Sequence, residues 1–205
     1  MAVSRRACLF AAPAALLAGG ARAADPAGGP SATVARFYDA LLAVMKIAKH
    51  TPFEQRYQRL APIVMQTFNL ALMTRLAVGP DWTKLQTAQQ QAVSDAFARY
   101  TVAVYAGRFD DFNGERFEVD PTPVNGPNGP VVRSSMTKSD GDKVVLDYLM
   151  RQGGDGAWQV IDVYLSGTIS ELATRRSEFT GVIQQSGADG LVRLLDERIA
   201  ALRAG

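Results

Sequence analysis

The spacing of apolar residues changes between Gly107 and Arg116, and this change limits the fold more than any single motif does. Before it, apolar residues recur every three or four positions. Val34, Phe37, Leu41, Met45 and Ala48 form one stripe, and Val93, Phe97, Tyr100 and Val104 form another. That is the pattern of helices with one buried face. After the change, apolar residues alternate or run together, as they do in strands. The helical period returns near Ser170. Helices, then a meander of strands, then helices again imply an α+β fold.

Punctuation divides the first half. Ser31 is expected to cap a first helix that reaches about Lys49. Thr51-Pro52 supplies a capping hydroxyl and a proline suited to a first helical turn. Pro62 reads as a further interruption, and the next helical stretch stops at Gly79-Pro80. Thr87-x-x-Gln90 has the spacing of a capping box and opens the longest helix. In the second half, Arg116 to Val119 is a short predicted strand and Pro121 to Gly129 a loop. Val131 to Ser139 and Lys143 to Arg151 form a hairpin about Asp140-Gly141. A turn at Gly153 to Gly156 leads to a further strand ending at Ser166-Gly167. Helices follow over about Ser170 to Gln185 and from a cap at Asp189. About four strands make a curved antiparallel sheet, and helices wrapped around such a sheet close a cone.

Residues 1–23 read as an export signal and residues 24–205 as one domain. Ser4-Arg5-Arg6 is a positive start, Ala7 to Leu17 is apolar, and Ala21-Arg22-Ala23 fits a cleavage site. The arginine pair resembles in part a twin-arginine signal. Cys8, the single cysteine, lies in this segment, so the mature domain would hold neither disulfides nor thiol ligands. The whole chain has 22 Lys+Arg against 20 Asp+Glu; without Arg5, Arg6 and Arg22 the balance is 19 against 20. No basic run remains to suggest nucleic acid, and no second apolar segment is long enough to span a membrane.

Catalytic and metal-binding patterns are sparse. His50 is the single histidine and falls at an expected helix end, where a solvated imidazole is the ordinary reading. No carboxylate cluster has metal-ligand spacing, and no Gly-rich phosphate loop is present. Neither a metal nor a cofactor is expected. Asp147 and Asp162, near Tyr148 and Tyr164, leave one enzymatic alternative, a buried Asp acting as acid or base. The plainer reading gives each Asp a hydrogen bond or ion pair, with Arg176 a plausible partner for Asp162. Arg175 follows Glu171 by four residues, the order of a helical ion pair, whereas Arg176 could contact an anionic head group or a partner. The aromatic residues Phe53, Tyr57, Phe68, Trp82, Phe97, Tyr100, Tyr105 and Phe109 either fill a core or line a pocket.

An ordered set of short motifs carries a resemblance. It comprises Ala157-Trp158-Gln159-Val160-Ile161-Asp162-Val163, Ser166-Gly167-Thr168-Ile169-Ser170, Arg175-Arg176-Ser177-Glu178-Phe179 and Gly187-x-x-Gly190-Leu191. Upstream stand Gly79-x-x-Trp82, Phe97, Tyr105-Ala106 and Gly114. Together they resemble the MlaC, or toluene-tolerance, family of periplasmic lipid carriers. Gly167 to Leu172 with Arg175-Arg176 resembles most its hopanoid-associated HpnM branch. The resemblance implies a cone-shaped, NTF2-like domain with extra N-terminal helices, and the enzymatic alternative would be an NTF2-like enzyme. It further implies a non-enzymatic shuttle carrying phospholipid or hopanoid. Its partners would be an inner-membrane ABC transporter complex and an outer-membrane lipoprotein.

A carried lipid needs a cavity, because each methylene exposed to water costs about 0.8 kcal/mol. The strands offer two uniformly apolar alternate sets: Val144, Leu146, Tyr148 and Met150, then Ile161, Val163 and Leu165. These are the expected cavity lining, with Phe53, Tyr57, Leu76, Trp82 and Tyr105 from the helices and Arg176 at the head group or partner. A one-residue error would exchange the strand faces.

Overall fold

A computed structural model describes residues 28–205, and the export signal expected over residues 1–23 lies outside them. Helices α1 (Pro30–Ala48), α2 (Phe53–Thr67) and α3 (Leu70–Val78) lead through a 3₁₀ segment, Gly79–Lys84, into α4 (Thr87–Arg108). Strands β1 (Arg116–Val119), β2 (Val124–Gly126), β3 (Gly129–Val132), β4 (Ser134–Thr137), β5 (Lys143–Gln152), β6 (Trp158–Leu165) and β7 (Ile169–Ser170) follow, then α5 (Glu171–Ala204). The fold is α+β with an antiparallel sheet, as the change of period implies.

Strand β5 is the axis of the sheet. Along one edge it pairs with β4 and then β3; along the other it pairs with β6, which pairs with β7. Strands β1 and β2 extend the first edge by pairing with β4 and β3. The segments therefore occupy four rows plus the short β7, close to the expected four strands, with two rows broken. The segment read as a loop over Pro121 to Gly129 contains β2 and its tight turn. Gly129 has φ +133°, and a Cβ there would lie 3.1 Å from the Met150 carbonyl oxygen, so the turn needs glycine.

Several helix ends differ from expectation by a residue or two. Gly29, not Ser31, is the N-cap of α1. The Ser31 hydroxyl instead donates to the Asp120 carbonyl at 2.8 Å. Pro52 caps α2, and the Thr51 hydroxyl closes α1 by donating to the Ile47 carbonyl at 2.7 Å. The capping box of α4 is Gln86 with Gln89, while Gln90 donates to the Trp82 carbonyl at 2.9 Å. Pro62 does not interrupt α2; the carbonyl it leaves without a donor belongs to exposed Gln58. The break falls at Phe68, whose extended backbone bridges to Val160. Asn69 then donates its N–H to the Val160 carbonyl at 2.9 Å and caps α3 through the Leu72 N–H at 3.0 Å. The two expected C-terminal helices are both present within α5: the backbone leaves the helical region between them at Gly187, with φ 66° and ψ −170°, two residues before the expected cap at Asp189.

Helix α4 is the centre of the helical layer and packs against α2, α3 and α5. Its small residues Ala96, Ala103 and Ala106 are fully buried, which lets those neighbours approach closely. No helix among the described residues is long and apolar enough to cross a membrane.

Candidate functional site

The sheet and α4 do not close on one another completely. Between them lies a cavity of about 260 Å³, slightly below the range of about 300–1,000 Å³ usual for small-ligand sites. One face of α4 forms a wall with Phe97, Tyr100, Thr101, Val104, Tyr105 and Arg108. Their spacing of three and four residues is that of a single helical face. The opposite wall is made of three cross-strand pairs: Met136 with Val144, Leu146 with Leu165, and Tyr148 with Val163. Tyr38 and Leu41 of α1, Phe68, and Met73 of α3 complete the interior, with Phe109 beyond the end of α4. Glu171, Leu172 and Arg175 of α5 lie at its polar side.

Of the residues expected to line a cavity, Tyr105, Val144, Leu146, Tyr148, Val163 and Leu165 do so. Phe53, Tyr57, Leu76, Trp82, Met150 and Ile161 do not. Phe53 and Tyr57 stand at the seam between α2 and the C-terminal end of α5, where Arg203 lies 5.8 Å from the Phe53 ring and pairs with Glu54 at 3.2 Å. Leu76 and Trp82 pack on the core from outside the cavity. Met150 is 1% exposed and sits in solid core. Ile161 is displaced by a bulge: Leu149 pairs with Asp162, the next residue Met150 pairs with Val160, and Ile161 has no partner. From that point the alternation of β6 is shifted by one, so Val160 joins the main core and Ile161 is buried outside it.

Of the two adjacent arginines on α5, Arg175 lines the cavity and Arg176 does not. Arg176 donates from Nε to the Leu76 carbonyl at 2.8 Å and packs against Gly79, tying α5 to the end of α3. Arg175 forms the expected pair with Glu171 at 3.7 Å, pairs with Glu178 at 3.6 Å, and stands 5.3 Å from the Tyr100 ring centroid. Glu178 also holds Arg198 through a bidentate contact.

Neither Asp presents a free carboxylate to the cavity. Asp162 accepts from the Val163 N–H at 2.8 Å, the Ser170 hydroxyl at 2.6 Å and the Leu172 N–H at 3.1 Å. It is fixed to the start of α5, not paired with Arg176 as read from the sequence. Asp147 lies on the opposite face of the sheet, beside Glu118, Lys143 and Val145. Among the described residues, no group of three or more His, Cys, Asp or Glu could hold a metal ion.

The inner wall carries polar groups that are mostly satisfied. The Ser134 hydroxyl donates to the Leu146 carbonyl. The Tyr38 hydroxyl, 2.7 Å from Ser134 Oγ, can then donate to it, and Tyr148 is hydrogen-bonded to Tyr38. Burial pushes the Tyr38 phenol up to about 12, partly offset by its bonds to Ser134 and Tyr148. Burial also raises Tyr105 and Tyr148.

Sequence reasoning did not assign Tyr38, Leu41, Met73, Met136 or Leu172 to the cavity. Phe68, Phe97, Tyr100 and Phe109 stood only in the wider aromatic set. Met136 was accessible to the same alternation argument, since it pairs directly with Val144. The helical residues gave no local signal that separates a cavity wall from ordinary core.

The sequence profile of the MlaC protein family matches residues 35–197. No curated protein is significantly similar to the chain. Among solved structures, one similar fold is a phospholipid-binding protein from Ralstonia solanacearum, determined in complex with a phospholipid at 1.53 Å. It is 28% identical, superposes with a TM-score of 0.73, and the match covers 85% of this chain and 99% of that one. The family match spans the helices, the sheet and most of α5, including both walls of the cavity, so this chain belongs to the MlaC protein family.

Proposed function

We propose that this protein binds a phospholipid by its tails in the cavity between the sheet and α4 and carries it across the periplasm. The observation that carries the reading is the unfilled apolar space itself, in a chain whose family match and structural similarity to a phospholipid complex both point to lipid. Protein interiors are normally packed to crystal density, and a hollow lined by Leu, Val, Met and aromatic side chains favours hydrocarbon over water. Two acyl chains exposed to water cost on the order of 20 kcal/mol at about 0.8 kcal/mol per methylene. A soluble carrier must hide most of that surface.

The present volume is small for a two-chain lipid. Loading therefore moves helices outward, and the breaks at Phe68–Asn69, Gly79 and Gly187 are where the chain can turn. The function is binding and transport, not catalysis, since both candidate Asp residues serve structural hydrogen bonds or face away from the cavity. Export by residues 1–23, docking to an inner-membrane ABC transporter complex, and hand-over to an outer-membrane lipoprotein complete the proposed cycle. Hopanoid cargo, the HpnM assignment, remains the alternative to phospholipid.

Native mass spectrometry of protein isolated from periplasm without detergent tests the reading, followed by organic extraction and lipid mass spectrometry. One bound glycerophospholipid per chain is expected. A bound hopanoid keeps the carrier role and changes the cargo. Protein that arrives empty and takes up no lipid from vesicles overturns the reading.

A further inference from the structure

The charges around the cavity are not balanced. Arg175 lies between Glu171 and Glu178, and Arg198 occupies the other side of Glu178. Two arginines are thus matched by two carboxylates. Arg108 also lines the cavity and is exposed, yet among the described residues no carboxylate lies within the 4.0 Å of an ion pair from its guanidinium. One uncompensated positive charge stands at the rim.

Tyr105 lies three residues earlier on the same face of α4, about 4.5 Å deeper along the helix axis. Its ring is packed among Phe37, Phe68 and Phe109 at centroid distances of 5.1, 5.6 and 5.8 Å. Its hydroxyl makes no hydrogen bond among the described residues, while no fully enclosed side-chain polar atom there lacks a partner. The hydroxyl therefore opens onto the cavity, as a donor with no acceptor of the protein's own.

An apolar chamber, one free donor inside it and one unmatched cation a turn farther out follow the layout of a glycerophospholipid: tails, ester carbonyls, then phosphate. We propose that Arg108 selects lipids whose head group is net negative by pairing with the phosphate, while Tyr105 donates to an ester carbonyl of the same molecule. This rests on the phospholipid reading above and adds to it the charge class of the cargo. Guanidinium suits phosphate because it offers paired donors in one plane. A zwitterionic head would bring its own cation beside Arg108 and Arg175. A hopanoid hydrocarbon has neither an ester nor a phosphate for these groups.

The test is competition. Mature protein is incubated with vesicles equimolar in phosphatidylglycerol and phosphatidylcholine, separated from them, and its bound lipid measured by mass spectrometry. Wild type is expected to carry phosphatidylglycerol in about threefold excess, the scale of an exposed ion pair. The excess should shrink in about 0.5 M NaCl through screening. Arg108→Gln should return the ratio to that of the vesicles, and Arg108→Lys should keep most of the excess. Tyr105→Phe should lose the wild-type preference for diester over diether phosphatidylglycerol. A wild-type ratio equal to the input, or the full excess retained in Arg108→Gln, overturns the inference and leaves phospholipid binding intact. Failure to bind either lipid sinks the phospholipid reading and this inference together. If thermal melting shows Arg108→Gln to be unfolded, the salt series and Arg108→Lys decide.

Discussion

Tyr38, Tyr105 and Tyr148 are three phenols in a mainly apolar cavity wall, and each is harder to ionise than a phenol in water. The first consequence is for stability in alkali. An unfolded tyrosine loses its proton near pH 10, whereas buried Tyr38 keeps its proton to about 12. Between these values the unfolded chain binds fewer protons than the folded one, so stability is fully present below about pH 10 and is lost as pH rises through about 12. Urea melts across that window should show a steep fall. Tyr38→Phe should fall less steeply, although it starts from lower stability because Ser134 and Tyr148 lose a partner. Identical slopes for the two proteins would show that Tyr38 is not held in a desolvated wall. The same scale explains Asp162: with three donors already on its carboxylate, its contribution is to anchor α5, and its place in an apolar strand says nothing about acid–base chemistry.

At the scale of elements, much of the sheet was legible and its single irregularity was not. Val144, Leu146 and Tyr148 share a face by plain alternation, and Val163 and Leu165 meet them across β5–β6 as the pattern implies. The extra residue at Ile161 breaks that parity, and the composition of Trp158 to Leu165 does not mark a bulge: it contains no glycine, and Asp162 is its one residue of a type depleted in strands. Leu41 was legible as buried, from the first helical stripe, but not as cavity-lining, and Tyr38 and Met73 were not singled out at all. Whether a helical stripe meets protein or empty space depends on elements distant in sequence. Arg175 and Arg176 show the same limit: adjacent residues on one helix diverge, one to the cavity and one to the α3–α5 joint. This gives a separable prediction. Arg176→Ala should lower stability by about 0.5–1.5 kcal/mol, the worth of one hydrogen bond, and leave the lipid content of purified protein unchanged. Loss of lipid without loss of stability would return Arg176 to the head-group role first assigned to it.

The whole molecule carries a void that a chain selected only for stability would close. Cavities left by truncated core side chains cost about 24 cal/mol per Å³, so a hollow of this size forgoes packing on the order of several kcal/mol. Its walls come from α1, α3, α4 and α5, from Phe68 and Phe109 at helix ends, and from β4, β5 and β6, so no single element could collapse to fill it. Val160 and Val163, three residues apart on β6, differ in their surroundings. Val160 is 0% exposed in close-packed core; Val163 faces the cavity opposite α4. Val160→Phe should overpack and cost about 1–3 kcal/mol. Val163→Phe should instead place its ring in empty space, keep or raise the melting temperature, and deprive a lipid tail of room. Thermal melting and extracted-lipid measurements on both variants check this. If Val163→Phe destabilised the fold as much as Val160→Phe and still carried wild-type amounts of lipid, the space beside Val163 would not be the lipid site, and the proposed carrier would have to bind its cargo elsewhere.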